Sequence, residues 1–105
     1  MNTCISYLYR DACNYKIHNE VIINGVLTSA QIDSIMDCLL DGEYFIPSQV
    51  GLPEQRFESI TEDDDCWFEL NREGFNLSSG VPTVDITSDE LVSEFIKAKN
   101  NWSEM

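Results

Sequence analysis

The sequence is poor in basic residues, and this shortage limits the partners that it can bind. Its 105 residues include six Lys and Arg against 19 Asp and Glu, so the formal net charge is −13 at pH 7. Nucleic-acid backbones are bound through clusters of Lys and Arg, and anionic membranes attract the same residues. We therefore expect no direct contact with nucleic acid or with a membrane, and a protein partner that offers a basic surface.

Other scarce features exclude further classes. No apolar run approaches the ~18 residues that a membrane-spanning helix needs, and the first residues lack the basic and apolar regions of a secretory signal. A cytoplasmic location is therefore expected. The four cysteines, Cys4, Cys13, Cys38 and Cys66, form no C-x-x-C pair. In a reducing cytosol we expect free thiols rather than disulfides or a zinc site.

Catalytic signatures are also lacking. The sequence has one histidine, His18, and no phosphate-binding loop, nucleophile elbow or zinc-protease motif. Strand alternation places His18 on a polar face, and Cys13 and His18 have no second ligand pair that would complete a metal site. The acidic run at 62–65 lacks the alternating ligands and the glycine of a calcium loop. We expect no enzyme activity, no cofactor and no metal.

A hydrophobic content of 43% is enough for one folded domain over residues 1–105. Residues 3–9 are rich in Ile, Tyr and Leu, and residues 15–23 alternate between apolar and polar side chains, which together predict an N-terminal β-hairpin. Thr28 and Gln31 form a capping box, and apolar residues at helical spacing follow up to residue 40. Gly42 is predicted to end this helix.

The rest of the chain predicts three short strands and one more helix. The strands are expected at 44–46, 66–71 and 83–86, with a loop at 71–82. Between residues 47 and 65 the signal is weaker, with one helical turn at 53–57 and a polar loop at 61–65. Thr87 and Glu90 form a second capping box, which opens the last helix. The fold class is therefore α+β: a small antiparallel or mixed sheet of about five strands, with two amphipathic helices on one face. The other sheet face is then open to solvent or to a partner.

The first predicted helix carries an unusual line of acids. Asp33, Asp37 and Asp41 follow at i, i+4 and i+8, and like charges at this spacing each destabilise a helix by a few tenths of a kcal/mol. Asp41 would also lie at the C-terminal end, where the helix dipole disfavours an anion. The carboxylates would be ~6 Å apart, close to the phosphate spacing of a nucleic-acid strand. The line predicts either a merely soluble face or a surface that imitates a nucleic-acid backbone.

A second acidic segment precedes Trp67. Its residues are Glu62, Asp63, Asp64 and Asp65. Strand alternation places Phe68 and Leu70 inward and Trp67 outward with Glu69. An exposed tryptophan beside acids is typical of a contact anchor, and the alternative is that the flanking loops cover it.

Four stretches resemble a group of small acidic proteins associated with mobile genetic elements of Gram-positive bacteria. They are CNYK at 13–16 with His18 and Glu20, GEYFIPSQVGLP at 42–53, DCWFEL at 65–70 and PTVDIT at 82–87. That group has no established activity, so no residue role is carried over from it. The resemblance implies a bacterial or phage accessory protein, and it favours interference with host defence or with nucleic-acid machinery.

The first hypothesis is a non-enzymatic interaction protein that binds a basic protein surface, in its sharper form a nucleic-acid mimic that inhibits a DNA- or RNA-binding host protein. Its expected contact residues are Asp33, Asp37, Asp41, Glu62, Asp63, Asp64, Asp65 and Trp67. The alternative is a structural subunit or homodimer module. It would use the open sheet face with Lys16, His18, Trp67 and Glu69. A third is a metal-binding protein or a small enzyme. Partner identity and oligomeric state stay open.

Overall fold

The computed structural model describes residues 1–10, 15–54 and 67–102, which form an antiparallel sheet with two α-helices. The strands are β1 (Asn2–Arg10), β2 (Lys16–Ile23), β3 (Tyr44–Phe45), β4 (Phe68–Glu69) and β5 (Phe75–Ser78). The helices are α1 (Ser29–Cys38) and α2 (Ser88–Ala98), with short 3-10 helices at Pro47–Val50 and Arg72–Gly74. The strand order is β2-β1-β4-β3, and β5 also pairs with β1. The predicted α+β fold class is confirmed.

The N-terminal hairpin forms as the alternation of its sequence predicts. Ile5, Tyr7 and Tyr9 are buried on one face of β1, and their neighbours in β2 include Val21, opposite Ile5, and Ile17, opposite Tyr9. The residues between them lie on the opposite, more polar face. Because successive side chains of a strand point to opposite faces, this pairing gives the sheet one apolar and one polar side.

The strand on the other side of β1 is broken by a bulge. β4 pairs with β1 at residues 8–9 and β5 at residues 2–5, so the five residues 70–74 face only Ser6 and Tyr7. Gly74 lies so close to β1 that a side chain there would collide with the Ser6 carbonyl oxygen. The prediction of a loop at 71–82 was wrong for the residues of β5. Its strand geometry depends on pairing with β1, a contact between distant parts of the chain.

Both helices begin at the capping boxes that the sequence predicts. The Thr28 hydroxyl accepts from the Gln31 N–H at 3.1 Å, and the Gln31 side chain accepts from the Thr28 N–H at 3.0 Å. Thr87 and Glu90 repeat this arrangement at α2. The two N-terminal ends are also linked to each other, because the Gln31 side-chain amide donates to Asp89 at 2.8 Å.

The helices lie on the apolar face of the sheet, as expected. Ile35 of α1 and Leu91 and Phe95 of α2 belong to one buried cluster with the inward residues of β1 and β2. An aromatic contact connects the two layers, since the ring centroids of Phe45 in β3 and Phe95 in α2 are 5.6 Å apart. Within the sheet, the rings of Tyr9 and Phe68 on the paired strands β1 and β4 have centroids 5.0 Å apart. No helix in the described part of the chain is long and apolar enough to cross a membrane.

The strand predicted at 83–86 was wrong. The segment runs along the outer edge of β2, where the Thr83 N–H donates to the Ile22 carbonyl at 2.8 Å and the Asn24 N–H donates to the Ile86 carbonyl at 3.1 Å. Only an isolated bridge between Asn24 and Thr87 has ladder geometry. The segment therefore covers this part of the sheet edge without becoming a full strand.

Candidate functional site

Two of the three aspartates predicted as an acidic line lie on α1, and both are ion-paired. Asp33 pairs with Arg72, and the Asp37 carboxylate accepts from the Lys99 ammonium at 2.7 Å. That hydrogen bond, together with the charge of Lys99, lowers the pKa of Asp37 from its ordinary value. Each carboxylate is thus matched by a cation from a distant part of the chain, and the helix does not present an uninterrupted negative line.

The third aspartate, Asp41, lies outside the helix, so its predicted position at the C-terminal end of the helix was wrong. α1 has ended before it, and the cap residue Leu39 already has extended backbone angles. Asp41 and Gly42 both have positive φ, 54° and 71°. They form a tight turn that backbone hydrogen bonds between Leu40 and Tyr44 close. Gly42 therefore supports this turn rather than the end of the helix, and aspartate tolerates the same left-handed backbone.

The second predicted acidic segment, of Glu62, Asp63, Asp64 and Asp65, lies outside the described residues. Trp67, which follows them, is half-buried. Its ring packs edge-on against Trp102, with centroids 6.2 Å apart. Trp102 in turn packs against Phe95 at 6.1 Å. Trp67 therefore joins the helix layer.

The residues of the alternative surface are not all brought together. Lys16 and His18 are exposed on the polar sheet face, and Glu69 lies beside Leu8 on that face. Glu69 is held by Arg10, whose Nε donates to it at 2.8 Å. On the open sheet face, Glu69 is thus already bound by Arg10. Trp67 does not join Lys16, His18 and Glu69 but contacts Trp102.

The turn after α1 lies in a negative electrostatic field. The negative charge of Glu43, followed by desolvation and the charges of Glu69 and Asp41, raises the pKa of Tyr44 above its ordinary value. Arg10 opposes this effect but is already bonded to Glu69. The carboxylates of Asp41 and Glu43 make no ion pair within the described part of the chain.

A cleft lies beside this turn, at the C-terminal ends of both helices, and we call it the helix-end cleft. Its volume is about 160 Å³. It is lined by Asp37, Cys38, Leu39, Leu40, Asp41, Lys99, Asn100 and Trp102. Leu40 is 42% exposed, although it is a large apolar residue. The Trp102 indole N–H donates to the Cys38 carbonyl at 3.1 Å, which fixes the ring at one wall. The cleft therefore combines apolar walls with charged groups at its rim.

A second cavity, of about 260 Å³, lies on the polar sheet face, between the bulge at residues 70–74 and the strands β1 and β2. Ser6, His18, Glu69 and Glu73 are among its lining residues. No hydrogen bond joins the Ser6 hydroxyl to His18 within the described residues. In the same part of the chain no three His, Cys, Asp or Glu side chains are placed to hold a metal ion. Tyr7 and Leu8 add apolar surface to this lining, and its geometry points to no particular reaction.

The two cysteines that the structure describes are free thiols. Cys4 is half-buried and Cys38 is buried, and burial raises the pKa of both thiols. Thiols of this kind are weak nucleophiles, because the thiolate is the reactive form. Cys13 and Cys66 lie outside the described residues, so their state stays a prediction.

Comparison of the chain with protein-family models, with curated proteins and with solved structures finds no match. Sequence reasoning missed Leu40, Lys99 and Trp102 as parts of one cleft. The Asp41-Gly42 pair was a usable signal, since Asp-Gly between apolar segments is typical of a tight hairpin turn.

Proposed function

We propose that this protein is a non-enzymatic interaction protein that binds a basic surface of another protein. The observation that carries the proposal is the negative charge left after internal pairing. The described residues include twelve Asp and Glu against five Lys and Arg. Four of these five cations already lie in ion pairs within the chain; they are Arg10, Arg72, Lys97 and Lys99.

The turn after α1 is the part of this surface that best suits a contact. Asp41 and Glu43 project unpaired charge there, while Leu40 and Trp102 add apolar surface beside it. Contacts that combine a buried aromatic anchor with charged surroundings carry much of the affinity in protein interfaces. Unpaired charge at the rim also accelerates the encounter with an oppositely charged partner.

The geometry favours this general form over a nucleic-acid mimic. Mimicry along one helix needs evenly spaced, unpaired carboxylates, whereas Asp33 and Asp37 are ion-paired and Asp41 has left the helix. A mobile-element origin, a host-defence target and a cytoplasmic location stay predictions. Self-association through the polar sheet face is the remaining alternative, and light scattering at high concentration tests it directly.

The proposal is tested by affinity capture from bacterial lysate with two charge-matched variants. Asp41→Asn with Glu43→Gln removes two charges at the turn, and Glu20→Gln with Asp85→Asn removes two exposed charges elsewhere. We expect the wild type and the second variant to retain the same basic proteins, and to release them as salt rises. The turn variant should lose them. Equal losses in both variants would refute the location, and no salt-sensitive basic partner at all would refute the function.

A further inference from the structure

We infer that the helix-end cleft receives one arginine side chain of the basic partner. This inference rests on the proposed function and names its point of contact. It is carried by three features that occur together in the cleft: an aromatic wall, an unpaired carboxylate at the rim, and an intramolecular cation that already lies there.

The walls suit the long, partly apolar stem of a basic side chain. The Trp102 ring lies on one side and the exposed side chain of Leu40 on another. Arginine and lysine bury their methylene groups against such surfaces while the charged head stays near water. The volume of about 160 Å³ corresponds to on the order of five water molecules, which is sufficient for one side chain and too small for a folded element.

The rim supplies the complementary charge. Asp41 makes no ion pair within the described residues, and its position in a hydrogen-bonded turn holds the carboxylate at the mouth of the cleft. Asp37 already binds a cation there, since the Lys99 ammonium lies 2.7 Å from its carboxylate. Lys99 therefore demonstrates, within the chain, the kind of contact that a partner's side chain would make with Asp41.

The cleft is also preorganised, which reduces the conformational entropy lost on binding. The Trp102 indole N–H is bonded to the Cys38 carbonyl. Backbone bonds from Lys99 to Phe95 at 3.0 Å and from Asn101 to Ala98 at 2.8 Å fix the segment that carries Trp102. Both sides of the cleft are thus held in place by interactions that a ligand does not need to form.

Arginine suits this cleft better than lysine. Its planar guanidinium stacks on an aromatic face and binds a carboxylate through two parallel hydrogen bonds. A lysine ammonium is more strongly hydrated and forms no such stack. Because Trp102 and Asp41 lie in the same cleft, one guanidinium can contact both groups, with its stem against Leu40.

The test uses N-acetyl-arginine methylamide as the probe and tryptophan fluorescence as the readout. The chain has two tryptophans, so Trp67→Phe leaves Trp102 as the only reporter and keeps an aromatic ring at position 67. We expect saturable quenching by the arginine compound, weaker quenching by its lysine analogue, and none by the neutral citrulline analogue. In the same background Asp41→Asn should weaken binding by about tenfold, the typical effect of one charge-assisted hydrogen bond.

Three further measurements make the result decisive. Asn accepts the left-handed backbone at position 41, so we expect Asp41→Asn to keep the turn, and circular dichroism checks that the overall fold is unchanged. Asp85→Asn, which removes an exposed charge at the opposite end of α2, should leave the affinity unchanged. Lys99→Met releases Asp37 and should tighten binding several-fold.

The same variants, titrated with an arginine-rich peptide at low and high salt, separate this inference from the proposed function. If the peptide binds in a salt-sensitive way, but Asp41→Asn and Asp85→Asn weaken it equally, the cleft assignment is wrong and the proposed function stands. Equal quenching by arginine and citrulline compounds also overturns the cleft. If the peptide does not bind the wild type even at low salt, the proposed function fails as well.

Discussion

Replacing Thr3 with valine tests the joint between the central strand and the first helix. Thr3 is 3% exposed; its hydroxyl donates to the Gly25 carbonyl at 2.8 Å and accepts from the Leu27 N–H at 3.0 Å. Valine keeps the branched shape but leaves both backbone groups without this partner. A buried group that loses its hydrogen bond costs about 1–3 kcal/mol. Since the Leu27 bond is buried and the Gly25 bond partly so, we expect the variant to lose about 2–3 kcal/mol in the free energy of unfolding.

Thr83→Val is the matched control. The Thr83 hydroxyl accepts from the Ile22 N–H at 2.9 Å, but in an exposed position, where water replaces the lost partner. We expect Thr83→Val to lose less than about 1 kcal/mol in the free energy of unfolding. Urea denaturation followed by tryptophan fluorescence measures both values, with an unchanged m-value as evidence that the denatured state is not altered. Equal losses in the two variants would refute the argument from burial, and protection of the Leu27 amide against hydrogen exchange should fall only in Thr3→Val.

Two further predictions concern the bulge and the ion pair at the helix ends. Gly74→Ala should destabilise the fold by about 2 kcal/mol or more, because the new side chain collides with Ser6. Gly42→Ala has open space around it and a φ of 71°, so it should cost only about 1 kcal/mol. Urea denaturation measures both losses, and a smaller loss for Gly74→Ala than for Gly42→Ala contradicts the bulge geometry. Lys99 lowers the pKa of Asp37 in the folded state. The ion pair between Asp37 and Lys99 therefore stabilises the fold at pH values above the ordinary pKa of aspartate, and this stabilisation is lost as the pH falls through the lowered pKa of Asp37. Carboxyl NMR titration should show this pKa rise in Lys99→Met, and an unchanged pKa would contradict the pairing.

Local signals in the sequence were sufficient for the parts of the fold that local interactions determine. The capping boxes at Thr28 and Thr87 depend on residues three positions apart, and they start the helices where expected. Alternation in β1 and β2 decided which residues are buried, since a strand with one apolar face has one satisfactory orientation. The hairpin, both helix starts and the α+β class could therefore be predicted.

What the sequence could not supply depends on contacts between distant residues. The sequence of β5 is typical of a loop, and its strand geometry comes from pairing with β1. The early end of α1 follows from the turn at Asp41 and Gly42. The partners of Asp33 and Asp37 lie 39 and 62 residues away, beyond any helical spacing rule. The predicted acidic line followed from the helical spacing of the three aspartates. In the fold, ion pairs neutralise Asp33 and Asp37, and the turn takes Asp41 out of the helix.

The position of β1 in the sheet has a consequence for how the chain matures. Its first residues bond to a segment made much later, since the Asn2 side chain contacts Gly80, 78 positions on, and Arg10 binds Glu69, 59 positions on. During synthesis, the hairpin of β1 and β2 emerges before these partners. Until they are made, the free edge of β1 and the apolar face of the hairpin stay uncovered. Pairings of this span slow folding and lengthen the exposure of sticky intermediates. Residues 1–32 carry no net charge, so the negative charge that repels neighbouring copies appears only as the later residues emerge.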